Sequence, residues 1–462
     1  MPNPILYTNV NPTAKGDRIW LEGSNVAKAG FLRGYLYNVA YHRMAGKISL
    51  TLHKEGTKKV SGRTRNGKDV PIIDLINKSI GEVFPTGTRL RVTFQKGMIT
   101  IIESKEEVAQ KEREKKFVTK VRSGEPLKEA TLFAGGGIST EAIHQAIHDA
   151  GGTSNVTWIA ECELKYVESA NQNCMAITDA TAILVGTVEE IEDEDYGQCD
   201  ILSFSMPCAG FSKAGRVKHR QSAEQHSGTA LFGVTRAIRS ANPAIIISEN
   251  VREAQDSPIY ILLKSELTRL GYTWYEQILD ASHTGTFENR PRYWLVALSN
   301  GLAATYEGGI LPHRDATSQP KTLNNLLDNV IPENMWCENQ YLKDKQKRDA
   351  AAGKGFANRQ LLLGDETRIG TIGRYYAKKR STEPFIVRDV DDKERLLTPN
   401  EHAKVKSIPT HLIQGVPTTT AHEIMGQSVD YLQPYLLVKQ IMENLIARFN
   451  SNTNAGMQQL PI

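Results

Sequence analysis

The chain has 462 residues, enough for two or three domains, and its 40 % hydrophobic and 23 % charged residues are ordinary for a globular protein. No apolar run approaches the roughly 20 residues needed to cross a bilayer, and the opening MPNPILYTNVNPTAKGDR lacks a signal-peptide core, so a cytoplasmic location with no membrane partner is expected. The net charge of +4 conceals an asymmetry: residues 1–130 carry 24 Lys/Arg against 13 Asp/Glu, or +11, and the remainder carries 32 against 39, or −7. A basic leading segment suits a nucleic-acid partner, and equally a solvated surface.

Residues 12–103 read as short strands between Gly and Pro turns, with Ile48, Leu50 and Leu52 alternating as in a half-buried strand. We therefore expect a basic β-rich accessory domain over 1–104, with Arg63, Arg65 and Lys68 in a loop that can touch phosphate. Residues 105–128 are highly charged and predict an exposed helix followed by a linker, which places a domain boundary there. From Glu129 apolar runs alternate with helical stretches: ATLFAGG, VTWIAE, TAILVG, DILSFS, AIIISEN and YWLVAL. Runs such as AIIIS suit strands covered on both faces, so 129–299 predict an open, mostly parallel α/β sheet. Over 300–394 this rhythm is lost. Residues 395–448 end in an amphipathic helix expected to pack back on the sheet, and 449–462 read as a tail.

Five motifs carry chemistry. TLFAGGGIST (131–140) ends a strand in a glycine turn ahead of a helix, where backbone can approach a ligand closely. WIAECE ends the next strand in Glu161, where ribose hydroxyls of nucleotide-like ligands are commonly held. Together they favour an adenosine-containing cofactor. DILSFSMPCAGFSKAG (200–215) ends a strand in Pro207-Cys208. The five cysteines include no CxxC pair, which argues against disulfides and zinc, so no metal is expected and Cys208 is free to act as a thiolate. In IIISENVREA, Glu249 follows a buried strand, where burial can keep a carboxyl protonated as an acid. In TFENRPRYWLVAL, Arg290 and Arg292 alternate at a strand start, so both are expected to point the same way.

The ordered set FAGGG, Glu161, PC, ENV, RxR, RLLTPxE and GQSV resembles the cytosine-5 DNA methyltransferases over residues 130 to about 448. The resemblance implies a Rossmann-like S-adenosylmethionine-dependent methyltransferase sheet, with 300–394 as an inserted target recognition region and the β-rich domain outside it. It implies S-adenosylmethionine as cofactor and double-stranded DNA as partner. Phe133, Gly135 and Gly137 would shape the methyl-donor pocket, and Glu161 would hold the ribose. Leu231 in SGTALF, Pro207 and Gln427 in GQSV would complete the donor site. Cys208 would be the nucleophile, Glu249 would contact N3 of the target cytosine, and Arg290 and Arg292 would hold the flipped base, with Arg292 on its O2. Ser212 in the GFSKAG loop would contact DNA, as would Arg374, Lys378, Lys379 and Arg380 in GRYYAKKRST. Lys343 to Lys347 on a helix also suit phosphate, or a solvated face.

The sequence departs from the family pattern at Ala209, where Gln is usual after Pro-Cys, and at Glu288, where Gln usually precedes the paired arginines. Thr187 stands where an Asp usually meets adenine, with Glu189 two residues on, and Gln427 replaces Asn. None of these removes a reacting group. Two other readings share the motifs: an RNA (tRNA) cytosine-5 methyltransferase, and a non-catalytic DNA-binding regulator on the same fold.

Overall fold

The computed structural model describes residues 3–207, 217–310, 322–353 and 360–451, with side chains for all of these except 217–227. The chain divides into two compact units, one up to Glu112 and one from Arg113.

The first unit is built of two antiparallel sheets. One has six strands in the order Ile5–Asn9, Arg89–Gln95, Met98–Glu103, Lys47–Leu52, Leu36–His42 and Lys58–Lys59. The other has four, in the order Asn11–Thr13, Gly16–Glu22, Lys68–Ile76 and Ser61–Arg65. Alternation decides which side chains form its core: Ile48 and Leu50 are fully buried, Leu52 packs at the margin, and Leu90, Val92 and Phe94 repeat the pattern. Arg63, Arg65 and Lys68 do not lie in a loop, as expected from their charge. They belong to the hairpin Ser61–Arg65/Lys68–Ile76, whose turn is only Asn66-Gly67 with both residues at positive φ.

The charged segment forms helix α1 (Lys105–Ser123). It is less exposed than its composition suggests, because one face is anchored. Phe117 is fully buried, and the Arg113 guanidinium donates to Ser299 Oγ at 2.9 Å and to the Leu270 carbonyl at 2.8 Å, lying over the Tyr272 ring. These partners are more than 150 positions away in sequence, so local charge could not reveal them.

The second unit carries a seven-stranded sheet. Its strands are β1 (Leu127–Leu132), β2 (Ser154–Glu161), β3 (Ala182–Val185), β4 (Ile201–Phe204), β5 (Ile245–Val251), β6 (Tyr272–Leu279) and β7 (Arg292–Ser299). Their order is β3-β2-β1-β4-β5-β7-β6, with only β7 antiparallel to its neighbours. This is the expected α/β class. Helices α4 (Val217–Ala241) and α5 (Pro258–Arg269) cover one face through Val234, Ile238, Leu263 and Leu267. Helices α2 (Ile138–Asp149) and α9 (Leu432–Ser451) cover the other through Ile143, Ile147, Leu437 and Ile441. Helix α3 (Leu164–Asn173) follows β2. The chain winds one way from β1 to β3 and the other way from β4, so the carboxyl ends of β1 and β4 flank a switch point, where open α/β sheets form their ligand crevice.

After β7 the rhythm breaks. Helix α6 (Gln340–Ala351) and a small sheet of β8 (Gln360–Leu362), β9 (Pro384–Arg388) and β10 (Lys393–Arg395) share their own core of Leu323, Leu362, Ile372, Tyr376 and Ile386. Helices α7 (Pro399–Val405) and α8 (Thr418–Gln427) lead back to α9. Among the described residues no helix is long and apolar enough to cross a membrane.

Candidate active site

The turn after β1 bends sharply. Phe133 has φ +56°, a left-handed conformation that costs a side-chain-bearing residue about 1 kcal/mol or more. Its ring packs against the core cluster to which Phe204 and Leu231 of α4 belong. Gly135 follows at φ +54°, and a Cβ there would stand 3.3 Å from Gln427 Nε2. Gly137, also at positive φ, caps α2. Thus Phe133, Gly135, Gly137 and Gln427 converge at the end of β1, although Gln427 is almost 300 positions away, and Leu231 belongs to the core that Phe133 packs against.

Glu161 ends β2 and is 9 % exposed. Its Oε2 accepts the Gly135 N–H at 2.8 Å, and Oε1 accepts the Cys162 and Glu163 N–H groups, both at 2.9 Å. A carboxylate has about four lone-pair positions. The three backbone donors fix its orientation and leave acceptor capacity for hydroxyls. The residues therefore fit an adenosyl group: an apolar ring at Phe133, a glycine backbone open to close approach, and an oriented carboxylate for a ribose. Thr187 does not supply the usual third contact through its hydroxyl, which donates to Glu190 at 2.9 Å.

The opposite side of the crevice is formed by β4 and β5. Pro207 is exposed beyond β4, and the preceding Met206 carbonyl accepts Asn250 Nδ2 at 3.1 Å. Ser205 Oγ donates to Glu249 Oε2 at 2.7 Å. Glu249 Oε1 meets Arg292 Nε at 2.9 Å, with both side chains 13 % exposed. Glu249 thus sits against a guanidinium and a hydroxyl, not in the isolating apolar pocket that its strand-end position suggests. Cys208 and Ser212 lie outside the described residues.

Arg290 and Arg292 diverge, against the expectation that they share a direction. Arg290 precedes β7 and is not in its pleat. It is 5 % exposed and donates to the carbonyls of Ile372 and Gly426, both at 3.0 Å. Beside it, fully buried Glu288 accepts Lys406 Nζ at 2.8 Å and the Ile372 N–H at 2.7 Å. Burial would raise the Glu288 carboxyl, but Lys406 and Arg290 outweigh it and hold the group below the usual carboxylate range. Asp430, also fully buried, is pushed up to about 6, first by burial and then by the Glu288 charge. Glu288, where Gln was the expected family residue, is therefore one member of an ionic cluster with Lys406.

Comparison with known proteins interprets this arrangement. The family model of the C-5 cytosine-specific DNA methylases matches residues 127–447. The chain belongs to that family. It is a methyltransferase that uses S-adenosylmethionine to methylate carbon 5 of cytosine in DNA. Among its relatives, the Type II methyltransferase M.SsoII of Shigella sonnei is 26 % identical over 327 residues, covering 69 % of this chain and 80 % of that protein. Type II methyltransferase M1.ScrFI of Lactococcus lactis subsp. cremoris is 25 % identical over 270 residues, covering 56 % and 66 %. In fold the methylase is similar to the S. pombe Dnmt2 methyltransferase, with a TM-score of 0.53, 15 % identity, and coverage of 71 % and 99 %. The Entamoeba histolytica methyltransferase EhMeth gives a TM-score of 0.54 and 17 % identity, with coverage of 70 % and 98 %. The family match begins at 127, so the first unit lies outside it.

Over residues 340–380 the cations separate into two sets. Arg374 turns inward: its Nη2 lies 3.6 Å from Glu163 Oε1 and its guanidinium faces the Tyr166 ring, both beside the Glu161 loop. Lys378 and Arg380 instead flank the exposed Tyr375 ring, each 4.5 Å from its centroid. Lys379 is exposed and reaches Cys337 Sγ at 3.1 Å. On α6, Lys343 pairs with Asp392 and Lys345 with Asp349. Among the described residues there is no cluster of His, Cys, Asp or Glu that could hold a metal ion.

Sequence reasoning passed over Ser205, Asn250, Lys406 and Asp430. Asn250 had a signal, since it adjoins Glu249 on its strand, and Ser205 had one in the DILSFSMPC motif just past β4. Lys406 and Asp430 had none, because their partners are distant in sequence and a lone charge reads as surface.

Proposed function

We propose that this methylase modifies a cytosine turned out of a specific duplex DNA sequence, with Cys208 as nucleophile and Glu249 and Arg292 holding the base. The observation that carries this reading is the Arg292–Glu249 contact of 2.9 Å, with Glu249 also accepting from Ser205, three residues before Cys208 in the sequence. The carboxyl suits the N3 and amino edge of cytosine, and the guanidinium suits O2. Ser205 and Asn250 act as positioning residues, one on Glu249 and the other on the Met206 carbonyl.

Bound S-adenosylmethionine supplies an electrophilic methyl sulfonium. The thiolate of Cys208 adds to carbon 6, forming an S–C bond and moving the ring electrons toward carbon 5. Glu249 stabilises the proton at N3, and Arg292 the charge at O2. Carbon 5 then takes the methyl group, whose bond to the sulfonium sulfur breaks with the electron pair staying on sulfur as a neutral thioether. Loss of its proton to a base and breakage of the S–C bond restore the ring and the thiolate. A cytosine stacked in a duplex does not offer carbon 6 to a thiol, so the base must leave the stack.

On the donor side Phe133 would meet the adenine, Glu161 would accept the ribose hydroxyls, and Gly135, Gly137, Pro207, Leu231 and Gln427 would line the site. Arg290 is a positioning residue, because its guanidinium is spent on the carbonyls behind Gln427. We assign target reading to 300–394, with Lys378, Lys379 and Arg380 facing DNA, and Ser212 contacting it from the loop after Cys208. Duplex DNA carrying 5-fluorocytosine tests the chemistry, since fluorine cannot depart as the proton does and the adduct is trapped. A denaturant-stable protein–DNA band that vanishes in Cys208→Ala is expected. A band that persists in that variant, or none with wild type on DNA it methylates, overturns the assignment.

A further inference from the structure

We infer that the first unit carries a second DNA-binding surface, a basic ribbon over residues 54–68 that grips duplex phosphates. The inference goes beyond the catalytic site and rests only on duplex DNA being the substrate. The family match leaves this unit without an assigned role.

The ribbon is a junction of two edges. Strand Lys58–Lys59 is the last strand of the six-stranded sheet, and Ser61–Arg65 is the last of the four-stranded sheet. Val60, buried between them, carries the chain from one sheet to the other. On these two edge strands Lys58, Lys59, Arg63 and Arg65 are exposed, as are Lys54 in the turn before them and Lys68 just past the hairpin turn, against a single acid before Asp69, Glu55. Nearby acids are already committed: Asp69 pairs with Arg33 at 3.1 Å and Glu22 with Arg63 at 2.8 Å. None of Lys54, Lys58, Lys59, Arg65 and Lys68 makes an ion pair with the described residues. Arg65 and Lys68 are also direct cross-strand partners. Like charges facing each other across a hairpin destabilise it. An anion lying across both relieves that repulsion, and the tight Asn66-Gly67 turn holds the pair at the hairpin tip. Evenly spaced phosphates are the anion such a row of cations fits. Lysines on edge strands also discourage edge-to-edge aggregation, and the test separates that role from DNA binding.

The full-length protein is compared with a variant carrying Lys54→Gln, Lys58→Gln, Lys59→Gln, Arg65→Gln and Lys68→Gln. Affinity for a mixed-sequence duplex is measured between about 50 and 200 mM salt, and methyl transfer is measured at low salt with saturating DNA. Each lost phosphate contact lowers the slope of log K against log salt by about 0.9, so a fall between about 0.9 and 4.5 is expected. Saturated transfer should be unchanged, which shows that the catalytic site is intact. A fall of less than about 0.9 in a variant with wild-type circular dichroism overturns the inference, whether or not the variant aggregates more readily. Should the fivefold variant fail to fold, Lys58→Gln with Lys59→Gln is read against the same limit, with a fall between about 0.9 and 1.8 expected.

Discussion

Gly426→Ala separates helix propensity from packing. Gly426 lies within α8, where propensity alone makes alanine better than glycine by about 1 kcal/mol. The packing argues the other way. A Cβ at 426 would stand 2.6 Å from the Gly373 carbonyl carbon and 2.8 Å from Arg374 N, both backbone atoms, where ordinary contact begins at 3.4 Å. The Gly373 carbonyl oxygen would stand closer still, so the two segments must part by about 1 Å, and no side-chain rotation can absorb the shift. Overpacking of this kind costs up to about 3 kcal/mol. The net effect is a loss of about 2 kcal/mol, read as a lower urea midpoint at unchanged m-value. The same shift carries Gln427 away from Gly135 and strains the Arg290 bond to the Gly426 carbonyl. Losing about one hydrogen bond's worth of order at the donor site predicts roughly tenfold weaker S-adenosylmethionine binding by calorimetry. A Gly426→Ala protein as stable as wild type, with unchanged donor affinity, would refute this packing argument.

Glu161→Gln should weaken donor binding by about 10- to 100-fold, since an amide cannot accept all three N–H groups from Gly135, Cys162 and Glu163 and still serve a ribose. Calorimetry with S-adenosylmethionine checks it, and unchanged affinity would remove Glu161 from the site. The two arginines should fail differently. Arg290→Met should cost about 3 kcal/mol or more in urea unfolding by stranding buried carbonyls and Glu288. Arg292→Lys should leave unfolding almost unchanged while lowering kcat at least tenfold; matching losses in both variants would contradict the division of roles. Acid should act through His402 and His422, which stack beneath Tyr376. Burial pushes His422 from 6.5 to about 4 and His402 down as well. Below its ordinary value an imidazole binds protons in the unfolded chain first, so stability is lost as pH falls from about 6.5 towards 4, by roughly 3 kcal/mol for His422. His422→Leu should flatten that slope in urea titrations at pH 7 and 4.5, and an unchanged slope would count against it.

What the sequence disclosed follows the range of the interactions. Much of the sheet was legible because strands such as β1, β4 and β5 are buried apolar runs, as in AIIIS of β5; edge strand β6, YTWYEQIL, is half-exposed and carries Glu276 and Gln277, so it gave no such run. Phe133, Gly135, Glu161 and Glu249 were locatable because the ends of successive strands in such a sheet open onto one crevice. Gln427 was placed beside them only by family resemblance, since nothing in its own neighbourhood points across the fold. The divergence of Arg290 and Arg292 was not legible, because strand alternation applies inside a strand and β7 begins only at Arg292. Nor was the inward turn of Arg374: GRYYAKKRST reads as a uniformly basic loop, yet Gly373 packs against Gly426 and carries the next side chain to Glu163. The anchoring of α1 by Arg113 was hidden for the same reason as the Glu288–Lys406 pair, because a buried ion finds its partner only after folding.

The central claim is that Cys208 drives transfer to carbon 5 of cytosine in duplex DNA. It is tested most directly with labelled S-adenosylmethionine and unmethylated duplex, comparing wild type with Cys208→Ala and mapping the product at base resolution. The account predicts label at cytosine carbon 5 within one recurring sequence for wild type, and none for the variant although it still binds the donor. Transfer that survives Cys208→Ala, or label at another ring position, would contradict it.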